Sequence, residues 1–582
     1  MIFPGNQLLE GISFCDPSAQ LSLLAFFNCS SSRGPKASDN MIVSWALASV
    51  VAASALYSVY TYLIYPLFVS PTRHIPAAYW SARVSQLWIL WIRYTEVEID
   101  AIHSAHGKLG PVVLLAPNEI SVNSFKGGIQ AVYAGGFEKH EWYPRAFVKH
   151  GCYNMFSTLK SRPHSIRKRM MSNIYSRSYL QGCSQLSEVS KSILYSRLLP
   201  RLEVYAQTGE SFNIFDIFNA ATFDFVAGYL FGASAARNVA NMLESPAKFQ
   251  DFFAMHNDRG NGHRWFYIQE LPRLTQFLSR FGLSFVPPMA QSAFDEVENF
   301  GLEFCDGAAA AMKKYNAETV SDMPEDAIGD FPTVYAQLRS SLSRNASKED
   351  GLRNNSDDIQ LQIASELTDQ FLAGFETSGI TLIYYAYELS KRPELQAALR
   401  KELLTLDPPI SLEQIGQGGK LPSAKALDAL PLLQATLQET LRHHAAIPGP
   451  QPRVTPTGGC TLGPEGNFTR IPGGMRISAQ AWSLHRNADV FPSPDSWQPE
   501  RWLTASDEQL REMHRWFWAF GSGGRMCVGS NLAIFQMKHI IAAIWTNWRS
   551  VIVDDDGIKQ SDAYTAPPIG RRLIVRLEPW EQ

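Results

Sequence analysis

Twenty-eight consecutive residues, Ile42 to Val69, contain no Asp, Glu, Lys or Arg. The run exceeds the roughly 20 apolar residues with which an α-helix crosses a bilayer. Trp45 and a group of tyrosines stand towards its ends, where amphipathic rings settle at membrane interfaces. Residues 41–70 are therefore read as one transmembrane anchor, being too long for a signal peptide and unusually long for a core helix. Pro66 is expected to kink or end the helix near its exit. Arg33 and Lys36 before the span balance Arg73 and Arg83 after it, so flanking charge leaves the orientation tied. Residues 1–40 carry no recognisable motif and are either a short lumenal tail or an extension ahead of a true start at Met41. A start at Met41 would tip the balance towards a cytosolic main domain, in which the sequons at Asn345, Asn354 and Asn467 go unused; a fourth stands at Asn28.

Beyond the prolines at 71 and 76 the chain has no low-complexity linker and no repeat, so residues 71–582 are expected to form one large domain. Hydrophobic residues make up 45% of the sequence and charged residues only 18%, which excludes disorder over most of the length. With 52 basic against 55 acidic side chains there is no global field to capture a polyanion, so nucleic acid is not an expected partner. The seven cysteines are scattered, odd in number and without a CxxC pair, which argues against a disulfide framework or a zinc-finger-like site.

The spacing predicts a long, mostly buried helix over 359–390, and further helices opened by Pro393 and Pro431 at their first turns. Strand-like segments are fewer, near 110–117, 474–483 and the C-terminus. The fold class expected is mainly α with small peripheral β-sheets. The polar stretch 318–358 reads as an exposed loop.

The sharpest chemical signal is FGSGGRMCVG, with Phe520, Gly523, Arg525, Cys527 and Gly529 ahead of the apolar run NLAIFQMKHIIAAIW. A thiol in a Gly-rich turn at the positive end of a helix is suited to the thiolate state that ligates metal. The pattern Phe-x-x-Gly-x-Arg-x-Cys-x-Gly resembles the haem-binding signature of cytochrome P450, the haem-thiolate monooxygenases, and the resemblance extends over nearly the whole chain from Ile42. It implies the P450 fold behind one anchor helix, haem b with Cys527 as axial ligand to iron, and Arg525 against a propionate.

Other landmarks of that family stand upstream in its order. Ala373-Gly374-Phe375-Glu376-Thr377-Ser378 is similar to its oxygen-activating helix segment. A mid-helix Gly costs about 1 kcal/mol relative to Ala and so needs a reason, here an opening for dioxygen, while Glu376 and Thr377 pair an acid with a hydroxyl as a proton relay requires. Glu439 and Arg442, three apart on one helix face, and Arg501 in PERW resemble a buried Glu-Arg-Arg network with a structural role. Arg453 matches a position where the family places an Arg against the haem. The family usually has Trp or His followed four residues later by Arg; here His164 is followed by Lys168, leaving the contact open among Lys168, Arg167 and Arg169.

Phe371, Ala373, Gly374 and Thr377, with Ala445, Ala446 and Ile447, are expected to line the pocket. The last three offer no charge or polar side chain, which points to a lipophilic small-molecule substrate. The aromatic-rich segment 137–156 falls where the family has a variable substrate loop. A chain of 582 residues is too short to carry a complete flavin reductase as well, so the resemblance implies NADPH-cytochrome P450 reductase as electron donor, cytochrome b5 as an optional second, and dioxygen as co-substrate. The style looks like eukaryotic microsomal members, often fungal, which places the protein at the endoplasmic reticulum membrane in terpenoid or polyketide tailoring by analogy. Desaturation or oxidative coupling without oxygen insertion is the alternative outcome, and a non-catalytic haem-binding membrane protein a third.

Overall fold

The computed structural model describes residues 37–234, 263–286, 288–346, 356–416 and 419–580. Most of the expected extension 1–40, and the sequons at Asn28 and Asn354, lie outside them. The chain forms two compact units, Met1–Tyr65 and Pro66–Gln582.

The apolar N-terminal segment is helical from Ala37 to Val59 and continues in the wider π form over Tyr60–Val69, with Pro66 inside the latter. Of the two outcomes expected at Pro66, a kink or an end, the helix does not end there but runs on in the π form to Val69. A π turn bonds each N–H one residue further back, and these turns carry the chain past a proline that offers no N–H of its own. Between Ser44 and Val69 no residue of the helix is buried. A second helix, Ile214–Phe231, is also apolar enough to cross a membrane but is almost wholly buried, and belongs to the protein core.

The larger unit is mainly helical. Its axis is the 35-residue helix Ser356–Ser390, longer at its start than the periodicity indicates. It packs along Ile214–Phe231, with Pro288–Tyr315, Thr333–Ala346, Pro431–His443 and Ser530–Asn547 also against it. Two glycines set the crossing with Ile214–Phe231. A Cβ at Gly379 would stand 2.2 Å from Asn219 Oδ1, and one at Gly374 would stand 3.0 Å from a Val226 methyl. Thr333–Ala346 falls within the stretch expected to be a loop. Val334, Tyr335 and Leu338 are its buried stripe, and the serines around them masked that pattern.

Pro393 and Pro431 do open helices, Pro393–Leu403 and Pro431–His443. A five-stranded sheet runs in the order Val112–Ala116, Glu119–Val122, Arg476–Ser478, Arg453–Val454, Glu138–Lys139. Only the second pairing is parallel. A three-stranded sheet, Phe212–Asn213, Ile574–Pro579 and Trp548–Asp554, closes the other end.

Glu439, Arg442 and Arg501 meet as the sequence suggests. Glu439 is fully buried and accepts from Arg442 Nη2 at 2.7 Å and Nε at 2.9 Å, and from Arg501 Nε at 3.1 Å. It also accepts from the Gln498 amide and Trp502 Nε1, both at 2.9 Å. Arg442 spends its remaining N–H groups on the carbonyls of His485, Pro494 and Ser496. Every hydrogen-bonding group of this pair is thus satisfied without water, the condition under which a buried ion pair is tolerated. His485 extends the network: Trp518 N–H donates to its Nε2 at 2.7 Å, so the other nitrogen, Nδ1, carries the hydrogen given to Arg442 O at 2.8 Å. Replacing Glu439 by Gln should cost roughly 3–5 kcal/mol in urea-unfolding free energy, because two guanidinium groups lose their counter-charge; a loss below about 1 kcal/mol would refute the structural role.

Burial, and then the nearby Arg442 charge, hold the His485 imidazole at about 3, far below its ordinary value of 6.5. The unfolded chain takes up this proton near 6.5 and the folded protein only near 3, so the contribution is complete above 6.5 and is lost as pH falls through that window. Unfolding free energy measured against pH should therefore fall below 6.5, and His485→Gln should reduce that slope by about one proton. An unchanged slope would show that His485 takes up its proton alike in both states.

Candidate functional site

The Cys527 loop is built by backbone contacts. Cys527 N–H donates to Phe520 O at 3.0 Å, Met526 N–H to Gly523 O at 3.1 Å, and Gly521 N–H to Trp518 O at 3.0 Å. Gly523 is required by position: its φ is +71°, and a Cβ would stand 2.4 Å from the Tyr133 carbonyl oxygen. The helix Ser530–Asn547 starts directly after Gly529. Cys527 is exposed, yet desolvation pushes its thiol above the ordinary range, against the pull of the Gly529 N–H, Lys168 and the Ser530 N–H. Both statements hold for a residue that lines an internal space, surrounded by protein but with open room at its sulfur.

Around this loop cations crowd together. Arg525 donates to Thr158 O at 2.7 Å, to Glu138 Oε2 at 3.0 Å and to Leu159 O. Arg453 is buried, donates to Tyr143 Oη at 2.8 Å and lies over the Tyr133 ring. Lys168 binds the Cys loop itself, through Gly524 O at 3.1 Å and Met526 O at 3.0 Å. Of the other two basic residues on that helix, Arg167 faces Glu366 at 3.8 Å and Arg169 is exposed.

Sequence reasoning missed Lys139. It is buried, donates to Phe156 O and sits over the rings of Tyr143 and Phe156. In strand register it stands directly opposite Arg453, and like charges so placed repel. Burial, then Arg453 and Arg525, push the Lys139 ammonium well below its usual value. His164, buried at the same place, is pushed down to about 3 by burial and then by Arg525, Lys139, Lys168 and Arg453. The region is thus strongly positive, and it stands beside a thiol with open room. This donor set fits a haem, whose two carboxylates would relieve the repulsion while Cys527 meets the iron.

The long helix turns a distinct face to open space at this level. Ala373 is exposed, and Gly374, Glu376 and Thr377 are partly exposed, in a helix otherwise packed in the core. Thr377 Oγ1 donates to Ala373 O at 2.7 Å. Thr565 donates to Glu376 Oε1 at 3.2 Å, and the Glu376 charge acts on nearby Arg571. Gly374 also has a packing reason in Val226, and its carbonyl accepts from Gln536 at 3.2 Å.

Phe371 departs from expectation. It does not look onto the pocket but is buried among Phe223, Phe304 and Phe375, with ring centroids 4.5, 5.3 and 5.5 Å away. Phe371 lies two residues, about 200°, from Ala373 around the helix, on its core side. Ala445 and Ala446 are buried and their carbonyls accept from Gln560 and the Ala566 amide, whereas Ile447 is partly exposed. In the aromatic segment Trp142, Tyr143, Phe147 and Phe156 pack on one another, and Trp142 and Phe147 also pack on Tyr564 of the C-terminal loop.

Known proteins give the family. Residues 130–565 match the cytochrome P450 family. The chain belongs to that family and is a monooxygenase of it, with haem b as cofactor. Similar proteins include cytochrome P450 monooxygenase avaI of Aspergillus versicolor, 27% identical over 75% of this chain and 94% of that protein. Others are cytochrome P450 monooxygenase stcB of Emericella nidulans, 26% identical over 88% and 89%, and tryprostatin B 6-hydroxylase of Neosartorya fischeri, 25% identical over 86% and 81%.

The Cys loop yields a direct test. Gly523→Ala should lose at least about 1–2 kcal/mol from the left-handed backbone alone, and its haem content, read from the reduced carbon-monoxide spectrum, should fall. Wild-type content and stability would show that the close approach to Tyr133 is unimportant.

Proposed function

We propose that this protein is a membrane-anchored monooxygenase of the endoplasmic reticulum that oxidises a lipophilic small molecule in fungal secondary metabolism. What supports this is the exposed Cys527 thiol beside the cluster of Arg525, Arg453, Lys168 and Lys139, together with the exposure of Ala373 and part of Thr377 on an otherwise buried helix. Bound haem would supply reductive activation of dioxygen and transfer of one oxygen atom. Cys527 would hold the iron, and Arg525 and Arg453 would meet the propionates, with Lys168 keeping the loop in place. His164 backs the same wall as a neutral ring.

Thr377 would hold a proton at its hydroxyl on the exposed face of the helix and Glu376 would resupply it, Thr565 fixing the carboxylate. Ala373, Gly374, Ala446 and Ile447 would offer the substrate an apolar wall. Electrons would come from NADPH-cytochrome P450 reductase, with cytochrome b5 as a second donor. The unburied apolar helix Ser44–Val69 supports the anchor, with the main domain on the cytosolic side. The fungal origin of the relatives, and the hydroxylase among them, support hydroxylation in specialised metabolism.

The test is turnover with a reductase and candidate terpenoid and polyketide substrates under isotopically labelled dioxygen. Labelled oxygen in the product is expected; a product that merely lacks two hydrogens would move the assignment to desaturation or coupling. Thr377→Ala should lower product formation by roughly 10²-fold while reductase-dependent NADPH consumption continues. Undiminished product would remove Thr377 from the relay.

A further inference from the structure

On the far side of the Glu439 network, the end of the long helix and the end of Pro431–His443 bring together a second cluster, independent of the proposed oxidation chemistry. Glu388 Oε1 lies 3.0 Å from His444 Nε2, and His444 Nε2 lies 3.0 Å from His443 Nδ1. All three ligand atoms fall within 4.8 Å of one another. The donors of a tetrahedral Zn²⁺ site stand about 3.3 Å apart, given Zn–N and Zn–O bonds of about 2.0–2.1 Å, so small shifts would seat an ion.

Hydrogen-bond accounting shows what is missing between them. His443 Nε2 faces the Asp495 carbonyl at 3.1 Å, so it carries the hydrogen and leaves a lone pair on Nδ1. Glu388 Oε1 offers another lone pair. The single hydrogen on His444 Nε2 must therefore serve two acceptors at once, and a divalent cation in its place would satisfy all three groups.

The surroundings are already ordered in the way metal sites are. The Asp495 carbonyl orients His443, and Tyr384 stacks on His444 at 4.4 Å with ring planes 4° apart. The other Glu388 oxygen, Oε2, is held by Arg392 at 2.8 Å, with Lys391 at 3.7 Å. Arg442 and Arg486, the further positive groups facing the cluster, are paired with Glu439 and Asp495. His443 and His444 are partly exposed, so an ion can reach them.

We infer that Glu388, His443 and His444 form a divalent-cation site, taking Zn²⁺ through two imidazole nitrogens and one carboxylate oxygen with water completing the shell. Binding moves the one hydrogen of His444 from Nε2 to Nδ1 and ties the two helices together beside the Arg442 network.

Calorimetric titration of the haem-loaded full chain with Zn²⁺ tests this. One zinc per chain is expected at micromolar affinity, weakened about tenfold or more in His443→Gln and in His444→Gln, and unchanged in His74→Gln, which alters an exposed histidine elsewhere. Absence of binding at 100-fold higher zinc, or equal affinity in the variants, overturns the site. Should a variant fail to fold, zinc-edge X-ray absorption of the wild-type complex decides: two imidazoles and one oxygen from carboxylate are expected, and fewer than two imidazoles overturns the assignment.

Discussion

One buried carboxylate, that of Glu439, organises much of the large unit. A charge removed from water survives only if every lone pair is met, and here two arginines, one indole and one backbone amide meet it. Arg442 passes the constraint on through His485 to the Trp518 amide, where the loop leading to Cys527 begins. Trp518 in turn braces that loop through Gly521 and Ser522. The thiol position is therefore set by a chain of hydrogen bonds that starts outside the pocket and belongs to the scaffold.

At the cationic cluster the opposite holds. Lys139 and Arg453 face each other across two strands, and His164 cannot hold a proton beside them. Like charges so placed repel, and the carboxylates of a haem would offset that repulsion. The scaffold is satisfied in itself and the site is not.

Much of this was legible in sequence because the relevant residues act locally. The Cys loop depends on glycines within ten residues, the Glu-Arg pair on a three-residue helical spacing, and the long helix on uninterrupted periodicity. What was illegible depends on contacts across the chain. Lys139 gains its meaning only from strand pairing with Arg453, more than three hundred positions away. Phe371 was misplaced because helical periodicity says that a face is apolar without saying whether it meets protein or open space. Lys168, ambiguous as a motif position, is resolved as a brace on the Cys loop by two carbonyls that only folding brings near. The helix Thr333–Ala346 was hidden because its buried stripe is narrow and its remaining surface polar.

By length and composition the helix Ile214–Phe231 could cross a bilayer, as could the N-terminal helix. Asp224, near its middle, would cost about 2.5–3.5 kcal/mol in a bilayer centre. In the folded protein that carboxylate rests 3.1 Å from Arg197. A charge that would burden this helix in lipid is thus met by Arg197 inside the protein, and the same residue that unfits the helix for a bilayer fixes it to its neighbour in the core.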